Sequence, residues 1–170
     1  MRVAGPAILA EIDEALLDYF GEYEVFSSEE MLYVPIEDFN IKFKGFVDAV
    51  VKVGDTYHLF DWKTCSWGWD SRKKAERLVT YQLTLYKHFF CQKHNIDPKN
   101  VETHFALLKR TAKKDRVEIF RVTSGPKKTE NALKLLYQAI YNITKRFSIK
   151  NRLSCYKPYP CKLLNTEHCP

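Results

Sequence analysis

Apolar residues recur along this chain with two periods, and the switches between them mark its elements. From Ala7 to Phe20, the residues Ile8, Leu9, Ile12, Leu16 and Phe20 fall on one stripe at helical spacing, and Gly21 supplies a stop. Shorter apolar runs follow near Glu24–Ser27, Met31–Ile36, Lys42–Val53 and Thr56–Trp62, which predict strands. The tight turn Val53-Gly54-Asp55 joins the last two as a hairpin. Helical spacing returns between Ser71 and His94 through Ala75, Leu78, Val79, Leu85, Tyr86, Phe89 and Phe90. Strands are predicted again at Val101–Arg110 and Arg116–Thr123, joined by the polar turn Thr111–Asp115. A final helix over Lys128–Phe147 carries Ala132, Leu135, Leu136, Ala139, Ile140, Ile143 and Phe147. The order predicts an α/β class with a mixed central sheet flanked by helices.

Two aspartates stand out against this pattern. Asp48 lies on the first strand of the hairpin and Asp61 ends the second, after the apolar approach Tyr57, Leu59 and Phe60, so the hairpin can bring both carboxylates to one end of a sheet. Two buried carboxylates repel and stay ionised only at high cost unless a cation sits between them. An oxygen-rich pair suits a hard ion such as Mg²⁺ or Mn²⁺. Lys63, two residues after Asp61, shares its strand face and could orient a water. On the long helix, Gln82 falls inside the apolar stripe with Tyr86 one turn on, so an amide and a phenol face the core side.

Composition agrees without deciding the matter. The chain has 170 residues, within the range of one domain with a substantial core, and is 45% hydrophobic and 28% charged, which is ordinary globular material. No apolar run approaches the ~18 residues needed to span a membrane, and the N-terminal residues make a poor secretory signal. The expectation is a soluble protein of the cytoplasm, or of the host-cell cytoplasm if viral, without membrane contact. The formal charge of +6 changes the picture more, because basic residues cluster at Arg72-Lys73-Lys74, Lys109-Arg110, Lys113-Lys114 and Lys127-Lys128. A basic chain that gathers acids at one point is the distribution expected of a protein that grips phosphates while hydrolysing one.

The ordered series Gly45-Phe46-Val47-Asp48, Asp61-Trp62-Lys63-Thr64 and Gln82-Leu83-Thr84-Leu85-Tyr86 resembles the RecB-like branch of the PD-(D/E)XK nuclease superfamily, whose motifs run G-x-x-D, D-x-K-T and Q-x-x-x-Y. The likeness is close from Gly45 to Tyr86 and looser in the flanks. It implies a restriction-endonuclease-like core in which Asp48 and Asp61 ligate the metal, the Trp62 carbonyl completes the coordination and Lys63 positions the attacking water. It further implies that Gln82 and Tyr86 hold the substrate phosphate or the lysine. Members commonly draw one more ligand from the first helix, where Glu11 and Glu14 are available. The implied activity is Mg²⁺- or Mn²⁺-dependent hydrolysis of DNA phosphodiesters by an exonuclease acting on ends or single strands in recombination, repair or phage replication, with proteins of those processes as partners. The alternatives are a catalytically silent DNA-binding or assembly module of the same fold, and a nuclease directed at RNA.

Two regions extend this reading. Trp67 and Trp69 flank Gly68 beside the Asp61 strand, where exposed rings could stack unpaired bases, with Arg72, Lys73, Lys74, Lys109 and Arg110 on the backbone. Domain organisation is expected as a nuclease domain over 1–148 with a cysteine-containing tail, 149–170, packed on it. In that tail Cys155, Cys161 and Cys169 sit among prolines. Some RecB-like nucleases hold an iron–sulfur cluster on three C-terminal cysteines and one before the first motif, but here no cysteine precedes Cys65. A fourth ligand would have to come from Cys65, Cys91 or His168, so plain thiols are expected, ahead of an iron–sulfur cluster or a zinc site.

Overall fold

The computed structural model describes residues 4–147, 161–163 and 165–167. It divides into two compact units, 1–133 and 134–170, whose boundary falls within the last helix. The first unit holds a five-stranded sheet of β1 (Glu24–Pro35), β2 (Lys42–Val53), β3 (Thr56–Cys65), β4 (Val101–Lys109) and β5 (Val117–Val122), ordered in space as in sequence. All neighbours are antiparallel except β3 and β4, which run parallel. Parallel neighbours need a crossover, and here it is helical. It comprises α2 (Ser71–Lys74), α3 (Arg77–His94) and a 3-10 turn at Pro98–Asn100.

Helix α1 (Ala4–Phe20) lies on one face of this sheet. Its stripe brings Leu16, Ile12 and Phe20 onto Val51, Phe60, Trp62, Ala106 and Ile119. Helix α3 covers the other face, where Leu83, Val79 and Tyr86 meet Phe105, Phe120 and Val122. Because side chains alternate along a strand, Phe60 and Trp62 serve the α1 face while Leu59, Asp61 and Lys63 point to the α3 face. That division separates the chemistry from the larger apolar contact of α1. At the end of α1, Gly21 takes a φ of 72°, and its N–H reaches the Leu17 carbonyl at 2.8 Å, closing the helix as its position predicts.

Two elements differ from their sequence expectation. The segment 24–36 is one strand, because Ser27, Ser28 and Glu30 pair with Val50, Ala49 and Val47 despite their polarity. A register shift between Val25 and Ser27, and a left-handed Glu29 at φ 50°, let the strand continue. The single helix expected over Ser71–His94 is broken at Ala75–Glu76, where Glu76 leaves helical geometry with ψ 122°. Asp70 caps the short first piece by accepting the Lys73 N–H at 2.7 Å. The final helix, α4, spans Pro126–Thr144. Among the described residues no helix is long and apolar enough to cross a membrane.

Candidate active site

The ladder between β2 and β3 ends at the pair Ala49–Phe60. Asp48 is the next residue along β2, and its Oδ2 accepts the Trp62 N–H at 2.8 Å, so a side chain takes the bond that a strand partner would otherwise make. The carbonyl of a strand residue points to the same edge as its N–H. Trp62 therefore aims its carbonyl beyond the last ladder pair, toward the side that Asp48 occupies.

On the α3 face, four side chains form one connected cluster. Gln82 donates from Nε2 to Asp61 Oδ1 at 2.7 Å and lies 3.1 Å from the Tyr86 hydroxyl, while its Oε1 accepts from Lys63 Nζ at 3.2 Å. Lys63 Nζ also stands 2.6 Å from Asp61 Oδ2. The amide thus uses both ends to fix an acid and a base relative to each other. This accounts for a glutamine within an apolar stripe: its polar groups are satisfied by the site it organises. Gly45 makes room for the arrangement, since a Cβ there would lie 2.9 Å from Cε1 of Tyr86 and 3.0 Å from Cε1 of Phe43.

Burial is uneven across the cluster. Asp61 is 3% exposed, whereas Lys63 and Gln82 are half-buried. Burial pushes the Asp61 carboxyl up, the Lys63 ammonium opposes it and the charge of Asp48 adds to the rise, leaving it above the ordinary carboxylate range. Asp61 Oδ2 is buried and, although beside the Lys63 ammonium, takes no hydrogen bond of normal geometry. A buried carboxylate whose one charge partner is the half-buried Lys63, a second carboxylate whose charge disfavours its ionisation, and a nearby backbone carbonyl fit a hard divalent cation with oxygen ligands.

The remaining sequence-predicted residues are distributed differently. Glu11 lies on α1, across the sheet from Asp61, and is committed to Arg116: one oxygen accepts the Arg116 backbone N–H at 2.8 Å and the other pairs with its guanidinium. Glu14 is exposed on the same helix, so neither acid is brought to the Asp48–Asp61 pair. Trp69 is half-buried and packs against the α3-face core, with ring centroids 5.3 Å from Phe105 and 6.2 Å from Phe120. Trp67 is 77% exposed. Lys73 sits over the Trp69 ring at 4.8 Å, and Arg72 and Arg110 are exposed. Lys74 and Lys109 are held by Glu118, at 2.5 and 3.6 Å. Cys91 is buried in α3 with its thiol pushed up to about 11 by desolvation, consistent with packing. Cys65 is half-buried and Cys161 exposed, both as free thiols, while Cys155, His168 and Cys169 lie outside the described residues.

Comparison with known proteins decides the family. The sequence model of the PD-(D/E)XK nuclease superfamily matches residues 4–170. The chain belongs to that superfamily. Its α/β fold agrees with a solved structure named "Putative exonuclease" from Eubacterium rectale, at a TM-score of 0.59 and 14% identity, over 94% of this chain and 61% of that one. A structure of a protein called SSO0001 aligns at a TM-score of 0.48 and 15% identity, over 90% of this chain and 64% of its own. The chain therefore spans about three fifths of the length of these two structures. No curated protein sequence matches. Within the PD-(D/E)XK frame, sequence reasoning missed how Asp48 caps the exposed edge of Trp62. Only the end of the β2–β3 ladder reveals it.

Proposed function

We propose that this chain is a divalent-metal-dependent deoxyribonuclease, an exonuclease acting on DNA ends or single strands. The observation that carries the reading is the Gln82 bridge, which holds Asp61 and Lys63 in fixed relation beside Asp48 in a chain of the PD-(D/E)XK superfamily. A buried acid tied to a half-buried base and amide in this way is costly to keep for packing alone.

Asp48, Asp61 and the Trp62 carbonyl would hold a hard cation such as Mg²⁺ or Mn²⁺, which supplies Lewis-acid polarisation of the scissile phosphate and offsets its charge. Lys63 orients the attacking water with its ammonium and stabilises the negative charge that grows on the phosphoryl oxygens. Gln82 keeps that ammonium aimed by accepting its N–H, and fixes the carboxylate by donating to Asp61. Tyr86 supports Gln82 from one turn along α3. Exposed Trp67 offers a face to an unpaired base, and Arg72, Lys73 and Arg110 offer charge to the backbone.

The testing experiment incubates the protein with end-labelled single-stranded DNA, double-stranded DNA and RNA in Mg²⁺, Mn²⁺ or EDTA. Progressive shortening of DNA from an end, dependent on metal and abolished by EDTA, is expected. Binding without cleavage under every condition would instead assign a silent DNA-binding module, and preferential loss of RNA would reassign the substrate.

A further inference from the structure

The α1 face carries a second polar cluster that the phosphodiester chemistry does not use. His58 on β3 and Glu102 and His104 on β4 are brought together by the parallel register, which sets His58 against Glu102 and Phe60 against His104. His58 Nδ1 and His104 Nε2 are 3.1 Å apart, and Glu102 Oε2 lies 3.7 Å from the first and 3.8 Å from the second. His58 is 7% exposed and His104 1%. Phe20 and Tyr19, in the last turn of α1, cover them: the Phe20 ring is 4.6 Å from His58 and 5.5 Å from His104, and Tyr19 is 5.6 Å from His104.

As a hydrogen-bonded pair this arrangement is poorly satisfied. Two neutral imidazoles at this geometry share one proton and make one bond, and the Glu102 oxygen, at 3.7 and 3.8 Å, stands beyond hydrogen-bond reach of both rings. The triangle of ligand atoms matches the spacing of donors around one shared ion. A point equidistant from all three atoms lies about 2.1 Å from each, which is the bond length of Zn²⁺ to imidazole nitrogen and carboxylate oxygen. We infer that His58, Glu102 and His104 bind one borderline transition-metal ion, Zn²⁺ by preference, as a structural clasp between β3 and β4 beneath the end of α1.

The surroundings support a two-histidine, one-carboxylate site. Arg121 holds Glu102 Oε1 at 2.8 Å and leaves Oε2 facing the imidazoles, the orienting role that outer partners play around bound metals. The Arg121 side chain is 54% exposed, so water screens its charge from the ion. Burial lowers the affinity of both imidazoles for protons, and neutral imidazole is the form that coordinates. The ligand types differ from the carboxylate set at Asp48 and Asp61, so the two sites select different ions. The clasp also lies across the sheet from Asp61, which separates it from any role in cleavage.

The test uses the thiol-capped, chelator-treated 170-residue chain carrying Asp61→Asn, so that neither cysteines nor the carboxylate pair can hold the added metal. Titration with Co²⁺ is expected to give one ion per chain with the intense visible bands of a low-coordinate nitrogen–oxygen site, displaced by Zn²⁺. His58→Gln and Glu102→Gln should each abolish that uptake. Histidine imidazole NMR on unmutated protein gives a readout that does not depend on the variants folding: Zn²⁺ should shift the ring nitrogens of His58 and His104 and leave those of His88 and His94 in place. Absence of stoichiometric uptake, uptake that survives both variants, or unshifted His58 and His104 signals would each overturn the assignment.

Discussion

Gln82 is the residue on which the geometry of the site depends, because one amide sets the relation between Asp61 and Lys63. Gln82→Ala should lower kcat by about 10- to 100-fold, the range seen when a supporting partner of a reactive group is removed, while the affinity for DNA stays near wild type. Equal losses in both would make Gln82 a substrate contact instead. Gly45 bears on the same site sterically. The methyl of Gly45→Ala would meet the Tyr86 ring, so the variant should lose about 1–3 kcal/mol of stability in a denaturant titration. Tyr86→Phe should not rescue it, since the clash is with a ring carbon. At this scale the sequence was readable where chemistry follows spacing. Asp61 and Lys63 share a face through strand alternation, and Gln82 and Tyr86 share one through the helical turn. The place of Glu11 was not readable, because its partner Arg116 is 105 residues away and only the docking of α1 against the strand near Val117 joins them.

Among the elements, the short helix α2 and the strands β4 and β5 hold the basic residues in two states. Lys74 and Lys109 are engaged by Glu118, whereas Arg72 and Lys73 are exposed. DNA affinity should fall by about 0.7 to 0.9 log units per log unit of salt for each phosphate contacted. Charge reversal at Arg72 and Lys73 should flatten that slope more than reversal at Lys74 and Lys109, and an unchanged slope would return all four to a solvated surface. Glu118 also sets a pH dependence. Burial alone would raise its carboxyl, but the hydrogen bond and charge of Lys74, with Lys109, outweigh this and hold it below its ordinary 4.5. A depressed carboxyl stabilises the fold fully above its unfolded pKa and loses that contribution as pH falls through the folded value. Melting temperatures of wild type and Glu118→Gln, followed from about pH 6 to about pH 3, should therefore differ at the upper end and converge at the lower. Most element boundaries followed from periodicity. The exceptions arose where backbone pairing overrode side-chain character: the polar run Ser27–Glu30 stays in β1 because β2 supplies its partners, and the long helix breaks at Glu76, whose backbone geometry no apolar pattern reports.

For the whole molecule, the central observation is that the two faces of one sheet carry different polar clusters. Asp61 and Lys63 lie under α3 and meet its Gln82, and His58, Glu102 and His104 lie under α1. The first was legible because its motifs are short and ordered along the chain. The second was not, because His58 and His104 are 46 positions apart and meet only through the parallel register that the α3 crossover imposes. The claim that matters most is that the Asp48–Asp61–Lys63 cluster performs metal-dependent cleavage while other surfaces bind the DNA. It is tested most directly by measuring single-turnover cleavage and equilibrium binding of one end-labelled DNA, in Mg²⁺, for wild type, Asp61→Asn and Lys63→Ala. The account predicts cleavage by wild type alone, with all three proteins folded and binding the DNA to similar extents. Cleavage by either variant at the wild-type rate would contradict it, as would a wild-type protein that binds DNA and leaves it intact.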